Sequence, residues 1–374
     1  MKITVLLDNL SSNSVARAYH RAKVLQRHYQ VELVGPVLGN GIYEPFRDEL
    51  PYRPVCPGKV RFPEYLGTLK KLVKQVRGEV VYALQPRVSS FGVALLAKLS
   101  RHLPVVLEIY DSDLEPFIKQ SLPRKLYTSI RHAHTPSIRS YGVVLSRLVP
   151  FADEQIVGSE FLQNRYGGVR LYHGVDCDVF DPTGFDSVEL KEKWGLTGKK
   201  VILFGGTALP HKGVEDLIAA VKMLEEPSLR IVVMGENSYV ASLQRIAGDC
   251  LVRIGVQPYS LLPELLSLTD LVVLPQRRTA FAEAQVPGKL FDAMAMAKPI
   301  IATAVSDLPE ILSGCALLVK PDDPAVVAEA IEVVLRDPDS AAEMGWRARK
   351  KCQEKYSWDA MESILIPVFQ RYAS

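Results

Sequence analysis

The chain of 374 residues is 48% hydrophobic and 23% charged, which excludes intrinsic disorder and a membrane-embedded fold and leaves room for two domains with separate cores. Its five cysteines, Cys56, Cys177, Cys250, Cys315 and Cys352, lack the close pairing of a zinc or redox site, so reduced thiols in a cytoplasmic protein are expected. Net charge is +3, but residues 1–180 carry 24 Lys and Arg against 16 Asp and Glu (+8), and the remainder 21 against 26 (−5), so either the first half meets an anionic partner or the excess is merely solvated.

Residues 2–8 read as a first strand and not as a signal sequence, because the apolar run is short and Asp8 ends it. No apolar run approaches the roughly 18 residues that cross a bilayer. The polar loop 9–14, a helix over 15–28 and a strand over 31–34, with Gly35-Pro36 as its stop, complete a strand–helix–strand unit. Its first loop lies at the carboxyl end of a strand, where open α/β sheets bind ligands, and Ser11, Ser12, Asn13 and Ser14 have side chains able to donate there. Further strands over 80–84, 105–110 and 154–157, with helices between, predict a mostly parallel, doubly wound sheet.

Residues 69–77 form a basic amphipathic helix whose apolar stripe either packs on the core or meets a membrane surface. Over 124–147, Arg, Lys, His and Tyr alternate with apolar residues, a better pattern for contact with a lipid or glycan. Asp111-Ser112-Asp113 has the form of an Asp-x-Asp metal motif, but one such triplet equally supplies a helix cap or positions an acceptor hydroxyl. Turn residues in Asp181-Pro182-Thr183-Gly184 mark a boundary, giving domains 1–181 and 182–357.

The second domain repeats the plan: a strand over 200–204, a loop over 205–213, a helix over 214–224, then strands over 230–234, 252–254, 271–274 and 299–302. Pro287-Gly288 is a turn that hands over to a helix starting near Lys289. A helix start carries unpartnered N–H groups and partial positive charge, so this turn with its lysine suits a diphosphate, and Asp292 could accept from a ribose diol. The alternative is an ordinary surface turn with both side chains solvated. A final helix covers 358–372.

Pro287, Lys289, Leu290, Asp292, Ala293, Met294 and Ala295, followed by Lys298-Pro299-Ile300-Ile301-Ala302, resemble the Pro-x-Lys-x-x-Glu-Tyr-Met-Ala-x-Gly-x-Pro-Val-Ile-Ala segment of family 4 retaining glycosyltransferases. Gly174-Val175-Asp176 through Phe180 and Pro182 is similar to that family's Gly-Val-Asp-x-x-x-Phe-x-Pro signature. The resemblance implies the α/β GT-B fold, two Rossmann-like doubly wound domains facing across a cleft, with the final helix 358–374 returning to the first domain. It is strong in the second domain and weak in the first.

By resemblance, Gly206, Thr207, Lys212 and Gly213 fall on the family's Gly-Arg-x-x-x-x-Lys-Gly diphosphate motif, with Thr207 in place of the arginine, and Lys289 stands in sequence to supply the second cation. Two lysines beside a diphosphate stabilise a leaving group that gains charge, a role otherwise filled by a metal, so no metal or other cofactor is expected. Of the family's two glutamates, the first position is Ala284, with Glu283 one residue away, and the second is Asp292. Arg253 to Pro258, Val256 included, corresponds to the nucleobase loop, and Pro287, Gly288 and Leu290 complete the donor-binding set. In the first domain Tyr110 takes the position of the family's histidine and Asp111 that of its aspartate, while 124–147 resembles the acceptor-side segments.

The implied activity is metal-independent retaining transfer of a hexose, glucose by best reading, from a UDP-sugar to a lipid-linked or envelope glycan, by same-face attack without an enzymic nucleophile. Closure excludes water from that reaction. The implied setting is polysaccharide biosynthesis in the cytoplasm, with peripheral contact at the inner face of the cell membrane and no nucleic-acid partner. The alternatives are a UDP-sugar epimerase of the same fold and an inactive sugar-nucleotide-binding regulator, since fold does not establish catalysis.

Overall fold

The computed structural model describes residues 1–112, 114–204, 206–235 and 237–373. Contacts divide the chain into one unit of 1–172 with 361–374 and a second of 173–360. The Gly-Val-Asp segment therefore belongs to the second unit.

The first unit is built on seven parallel strands, β1 (Lys2–Leu6), β2 (Gln30–Pro36), β3 (Tyr52–Val55), β4 (Val80–Leu84), β5 (Val105–Ile109), β6 (Glu154–Val157) and β7 (Val169–Arg170), in the order β3-β2-β1-β4-β5-β6-β7. Strands β4 and β5 are buried along their whole length, which is why they read as continuous apolar runs without alternation. Gly35-Pro36 does not stop β2 as its composition predicts: both residues pair with β3, and Pro36, lacking an N–H, stays in the sheet through its carbonyl, which accepts from Leu10. The basic helix runs over Tyr65–Gln75 and buries Tyr65, Leu69 and Leu72, so its stripe faces the core and not a membrane. The final helix, Trp358–Gln370, contributes its later residues to this unit, with Phe369 edge-on to Tyr82 and the Glu362 carboxylate bonded to Arg27 and His28.

The second unit has six parallel strands, β8 (Lys200–Phe204), β9 (Leu229–Met234), β10 (Leu251–Ile254), β11 (Leu271–Leu274), β12 (Ile300–Thr303) and β13 (Leu317–Val319), in the order β10-β9-β8-β11-β12-β13. Helix Val214–Met223 buries Val214, Leu217, Ile218 and Val221, and helix Pro324–Arg336 buries Val327, Ile331 and Val334, spacings of three and four that place one apolar stripe of each in a common core. In each unit the strand order reverses once, between β1 and β4 and between β8 and β11, and the loops leaving those strands flank the crevice where such sheets take ligands. The fold class is thus the expected one, two doubly wound Rossmann-like domains. Among the described residues no helix is long and apolar enough to cross a membrane.

Candidate functional site

The loop after β8 carries Gly206, at φ +143°, an exposed Thr207, and a single 3-10 turn over Pro210–Lys212. Gly213 follows in the left-handed region at φ +70° and begins helix Val214–Met223. A Cβ there would lie 1.8 Å from the carbonyl oxygen of Pro275, so only glycine lets the Lys212 turn press against the chain leaving β11. The contact is fixed by the Arg277 N–H, which donates to His211 O at 3.0 Å, and by the Arg277 guanidinium, which grips Asp216 at 2.7 and 2.8 Å and Glu215 at 3.1 Å. Arg277 is therefore committed to the helix start and does not stand in for the arginine missing at Thr207.

Lys212 Nζ donates to Gln285 Oε1 at 2.5 Å, joining this turn to the segment that leads into helix Lys289–Ala295. Gly288 sits against the His173 ring, which a Cβ would meet at 3.1 Å, so the Gly-Val-Asp segment supports the helix start from behind. Arg349 reinforces that support with Nη1 donating to Phe180 O at 2.6 Å and to Ala295 O. The helix start offers less to an anion than the turn alone suggests: the amides of Leu290 and Phe291 donate to Pro287 and Gly288, Pro287 is buried, and the Leu290 side chain is core.

Asp292 is 1% exposed. Its Oδ1 accepts from the Tyr259 hydroxyl at 3.2 Å and its Oδ2 lies 3.6 Å from Lys289 Nζ, which also sits 5.3 Å over the Tyr259 ring. Burial pushes the Asp292 carboxyl up, opposed by Lys289 and Tyr259, and burial pushes the Lys289 ammonium down, opposed by Asp292. Asp292 thus spends both oxygens on holding Lys289 and Tyr259, in place of the open carboxylate that a ribose diol needs. Tyr259 also brings the 253–258 loop to this point, with Arg253 and Val256 both exposed. Glu283 is tied down elsewhere: Oε2 accepts from the Ser306 N–H at 3.0 Å, its carbonyl accepts from Ser306 Oγ at 3.0 Å, and Oε1 lies 3.6 Å from Arg278.

Two residues that the sequence reading passed over complete the loop pair. Gln276, 2% exposed, has neither amide atom bonded among the described residues, and the half-buried His211 likewise leaves Nε2 without a partner. Burial, with Lys212 beside it, lowers the His211 pKa to about 4, so the ring is neutral near pH 7. An unmade hydrogen bond at a buried polar group costs about 1–3 kcal/mol, so these atoms mark a place completed by something else.

The first unit gathers a separate polar group at the carboxyl ends of β1, β4 and β5. Gln85, in the left-handed region at φ +67°, donates from Nε2 to Asp111 Oδ1 at 2.8 Å. Asp8 Oδ1 and Ser112 Oγ are buried without a hydrogen-bond partner among the described residues, and burial raises the Asp8 carboxyl against the pull of Arg87 and Ser14. The half-buried Tyr110 lies under the Arg17 guanidinium, 4.7 Å from its ring centre, and burial holds its phenol protonated. Behind it the fully buried Glu108 takes both oxygens to Arg21, at 2.8 and 3.1 Å, and also bonds the Tyr82 hydroxyl; burial would raise this carboxyl, but Arg21 and Arg17 hold it below its ordinary value. In the first loop Ser12 and Ser14 spend their hydroxyls on Asn9 O and on each other, whereas Ser11 Oγ accepts from the Gly39 N–H and keeps its own proton to donate. Asp113, the last member of the Asp-x-Asp triplet, and Gly205 lie outside the described residues.

Residues 186–351, most of the second unit, match the family model for glycosyl transferases group 1. The chain is 29% identical over 267 residues to the GDP-mannose-dependent alpha-(1-6)-phosphatidylinositol monomannoside mannosyltransferase of Mycolicibacterium smegmatis, covering 66% of this chain and 70% of that protein. It is 26% identical over 191 residues to the alpha-D-kanosaminyltransferase of Streptomyces kanamyceticus, covering 49% and 48%. The chain thus spans about half the length of some curated relatives it matches. Among solved structures, HepE of Anabaena, in complex with UDP-glucose, superposes with a TM-score of 0.77 at 17% identity, covering 99% of this chain and all of that one. WaaG, a glycosyltransferase involved in lipopolysaccharide biosynthesis, superposes at 0.71 with 14% identity, covering 98% and 99%. At these identities the likeness is one of fold.

Proposed function

We propose that this chain, a glycosyltransferase enzyme of the GT-B fold, moves a hexose from a nucleotide sugar to a lipid-linked or envelope glycan, with retention and without a metal. UDP-glucose is the donor of first choice. The observation that carries the reading is the loop pair at the β8–β11 reversal, where the Lys212 turn packs against the chain leaving β11 and the two loops hold the buried, unpartnered polar atoms of His211 and Gln276. A diphosphate with its attached sugar supplies the acceptors and donors that these atoms lack, and a cation fixed in place is worth most where charge develops on the departing diphosphate. Lys289, held by Asp292 and Tyr259, supplies the second cation of the reading. Attack by the acceptor on the face the diphosphate leaves accounts for retention with no nucleophile from the protein.

A second reading, GDP-mannose as donor, is favoured by the printed name of the mycobacterial relative. The deciding assay offers UDP-glucose and GDP-mannose to the protein in EDTA with a lipid extract, follows nucleoside diphosphate release, and reads the anomeric configuration of the product by proton NMR. Release of UDP with an axial product linkage supports the first reading; release of GDP transfers the proposal to mannose. An inverted anomer, or turnover only when metal is restored, sinks the mechanism, and formation of a free epimerised sugar sinks the transfer.

A further inference from the structure

Cys177 and Cys352 stand far apart in sequence, and the second unit brings them together, a closeness that their spacing hides. Cys177 follows Gly174-Val175-Asp176 in the segment that supports the start of helix Lys289–Ala295. Cys352 lies near the end of helix Pro338–Lys355 and is fully buried. The segment is seated on that helix end: the Val175 N–H donates to Tyr356 O at 3.1 Å, the Trp358 N–H donates to Val175 O at 2.9 Å, and Arg349 Nη2 donates to Cys177 O at 3.3 Å. Arg349 and Cys352, three residues apart, share one face of the helix, so guanidinium and thiol both meet Cys177. The Cys352 S–H has two acceptors there, Phe291 O at 3.6 Å and the Cys177 sulfur.

The two thiols are unequal in access and in acidity. Cys177 is half-buried, whereas Cys352 has no exposed surface. The bond from Cys352 holds the Cys177 thiol below its ordinary value, with Arg349 assisting and burial, Asp176 and Asp178 opposing; the same bond, then burial, pushes Cys352 well up. The first proton lost is therefore that of the more accessible residue. Cys250 and Cys315 are placed differently. Each donates to a carbonyl three residues earlier, Ala247 O at 3.1 Å and Leu312 O at 3.4 Å, and burial raises both.

We propose that Cys177 and Cys352 are an oxidant-responsive thiol pair that closes to a disulfide on exposure to hydrogen peroxide. The Cys177 thiolate attacks one peroxide oxygen, the O–O bond breaks, and the departing hydroxide takes up a proton as water, leaving Cys177 as sulfenic acid. The Cys352 sulfur then attacks the Cys177 sulfur. The S–O bond breaks as the S–S bond forms, and hydroxide leaves with the Cys352 proton as a second water. The thiols lose two electrons and the peroxide gains them, and a dithiol reverses the change by exchange. Closure ties the Gly-Val-Asp segment covalently to helix Pro338–Lys355 and takes the Cys352 proton from Phe291 O, on the helix that carries Lys289 and Asp292. A bond between positions so distant in sequence restricts the unfolded chain and raises stability. The pair needs no nucleotide and is independent of the donor reading.

The full chain is treated with hydrogen peroxide, quenched with catalase, alkylated and digested without reductant, and Cys177→Ser and Cys352→Ala are treated alike. The expected result is a peptide pair joining Cys177 to Cys352 in the parent, removed by dithiothreitol and absent from both variants. In Cys352→Ala, dimedone should mark a sulfenic acid at Cys177, because the resolving sulfur is gone; Cys177→Ser, at a half-buried position, carries the test if that variant does not fold. The urea midpoint of the parent should rise on oxidation and return on reduction, while that of Cys177→Ser does not move. Cys177 recovered as a free thiol, joined to a cysteine other than Cys352, or carried to sulfinic acid without a cross-link overturns the proposal. So does a parent midpoint that oxidation leaves unchanged.

Discussion

Gln276 is the side chain whose position the core does not explain. A glutamine at 2% exposure with both amide atoms unbonded among the described residues is paid for by nothing described in the second unit, and a nucleotide sugar is the partner that the Lys212 turn, packed against the same chain, suggests. Gln276→Leu removes the unmet amide, so unfolding in urea is expected to show stability held or raised by about 1 kcal/mol while affinity for the nucleotide falls. A variant that binds nucleotide like the parent takes Gln276 out of the site. His211 makes a prediction in pH. Its folded pKa of about 4 lies below the unfolded value of about 6.5, so between those values the unfolded chain binds the extra proton. Its contribution is therefore intact above about pH 6.5 and is lost as pH falls toward 4. Urea midpoints measured across that window should fall more steeply for the parent than for His211→Leu; parallel curves would show the ring titrating normally. Lys212 was legible in the sequence because a lysine before a glycine in a post-strand loop has a stated role. Gln276 and His211 were not, because an isolated amide or imidazole carries no sign of burial until the loops around it are folded.

At the scale of elements, the Lys212-Gly213 turn shows what a motif leaves out. Its spacing points to phosphate, but the reason for glycine is the Pro275 carbonyl, which belongs to another loop. Gly213→Ala combines a left-handed backbone with that collision, so a loss of about 2–4 kcal/mol in urea unfolding is expected, with nucleotide affinity lost at temperatures where the variant remains folded. A variant as stable as the parent contradicts the packing described. The long elements were readable from periodicity, and β4, β5 and β11 from continuous apolar runs. Strand β3 was not, since Arg53 and Pro54 interrupt its apolar run, nor were β7 and β13, whose two and three residues carry too little pattern, and Pro36 looked like an end because the pairing that keeps it in β2 depends on a neighbouring strand. Helices Tyr65–Gln75 and Leu122–Arg131 present the same problem in reverse. Both are basic and amphipathic in sequence, and only packing separates the stripe that is buried from the one that is bare.

At the scale of the molecule, two doubly wound sheets follow from the repeated alternation of strand and helix, and that much needed no side-chain detail. The site was less evenly legible. Motifs crowd the second unit, where the group 1 family model matches, while the first unit holds its polar group of Asp8, Gln85 and Asp111 on residues scattered among three strand ends. Asp292 shows why motif position is weaker than environment: its sequence place suggested a ligand contact, and its burial makes it a brace for Lys289. The charge division of the sequence also changes meaning, since Arg17 and Arg21 are buried around Glu108 and so take no part in the surface charge. The metal-free nucleotide-sugar site proposed at the β8–β11 loop pair is tested by isothermal titration with UDP-glucose, UDP, GDP-mannose and GDP, with and without EDTA, on the parent and on Lys212→Ala. Binding of one nucleotide series is expected, unaffected by EDTA and weakened about tenfold or more by the substitution, the loss that follows from removing a charge-assisted contact. Binding of neither series, binding that EDTA abolishes, or full affinity in Lys212→Ala would contradict it.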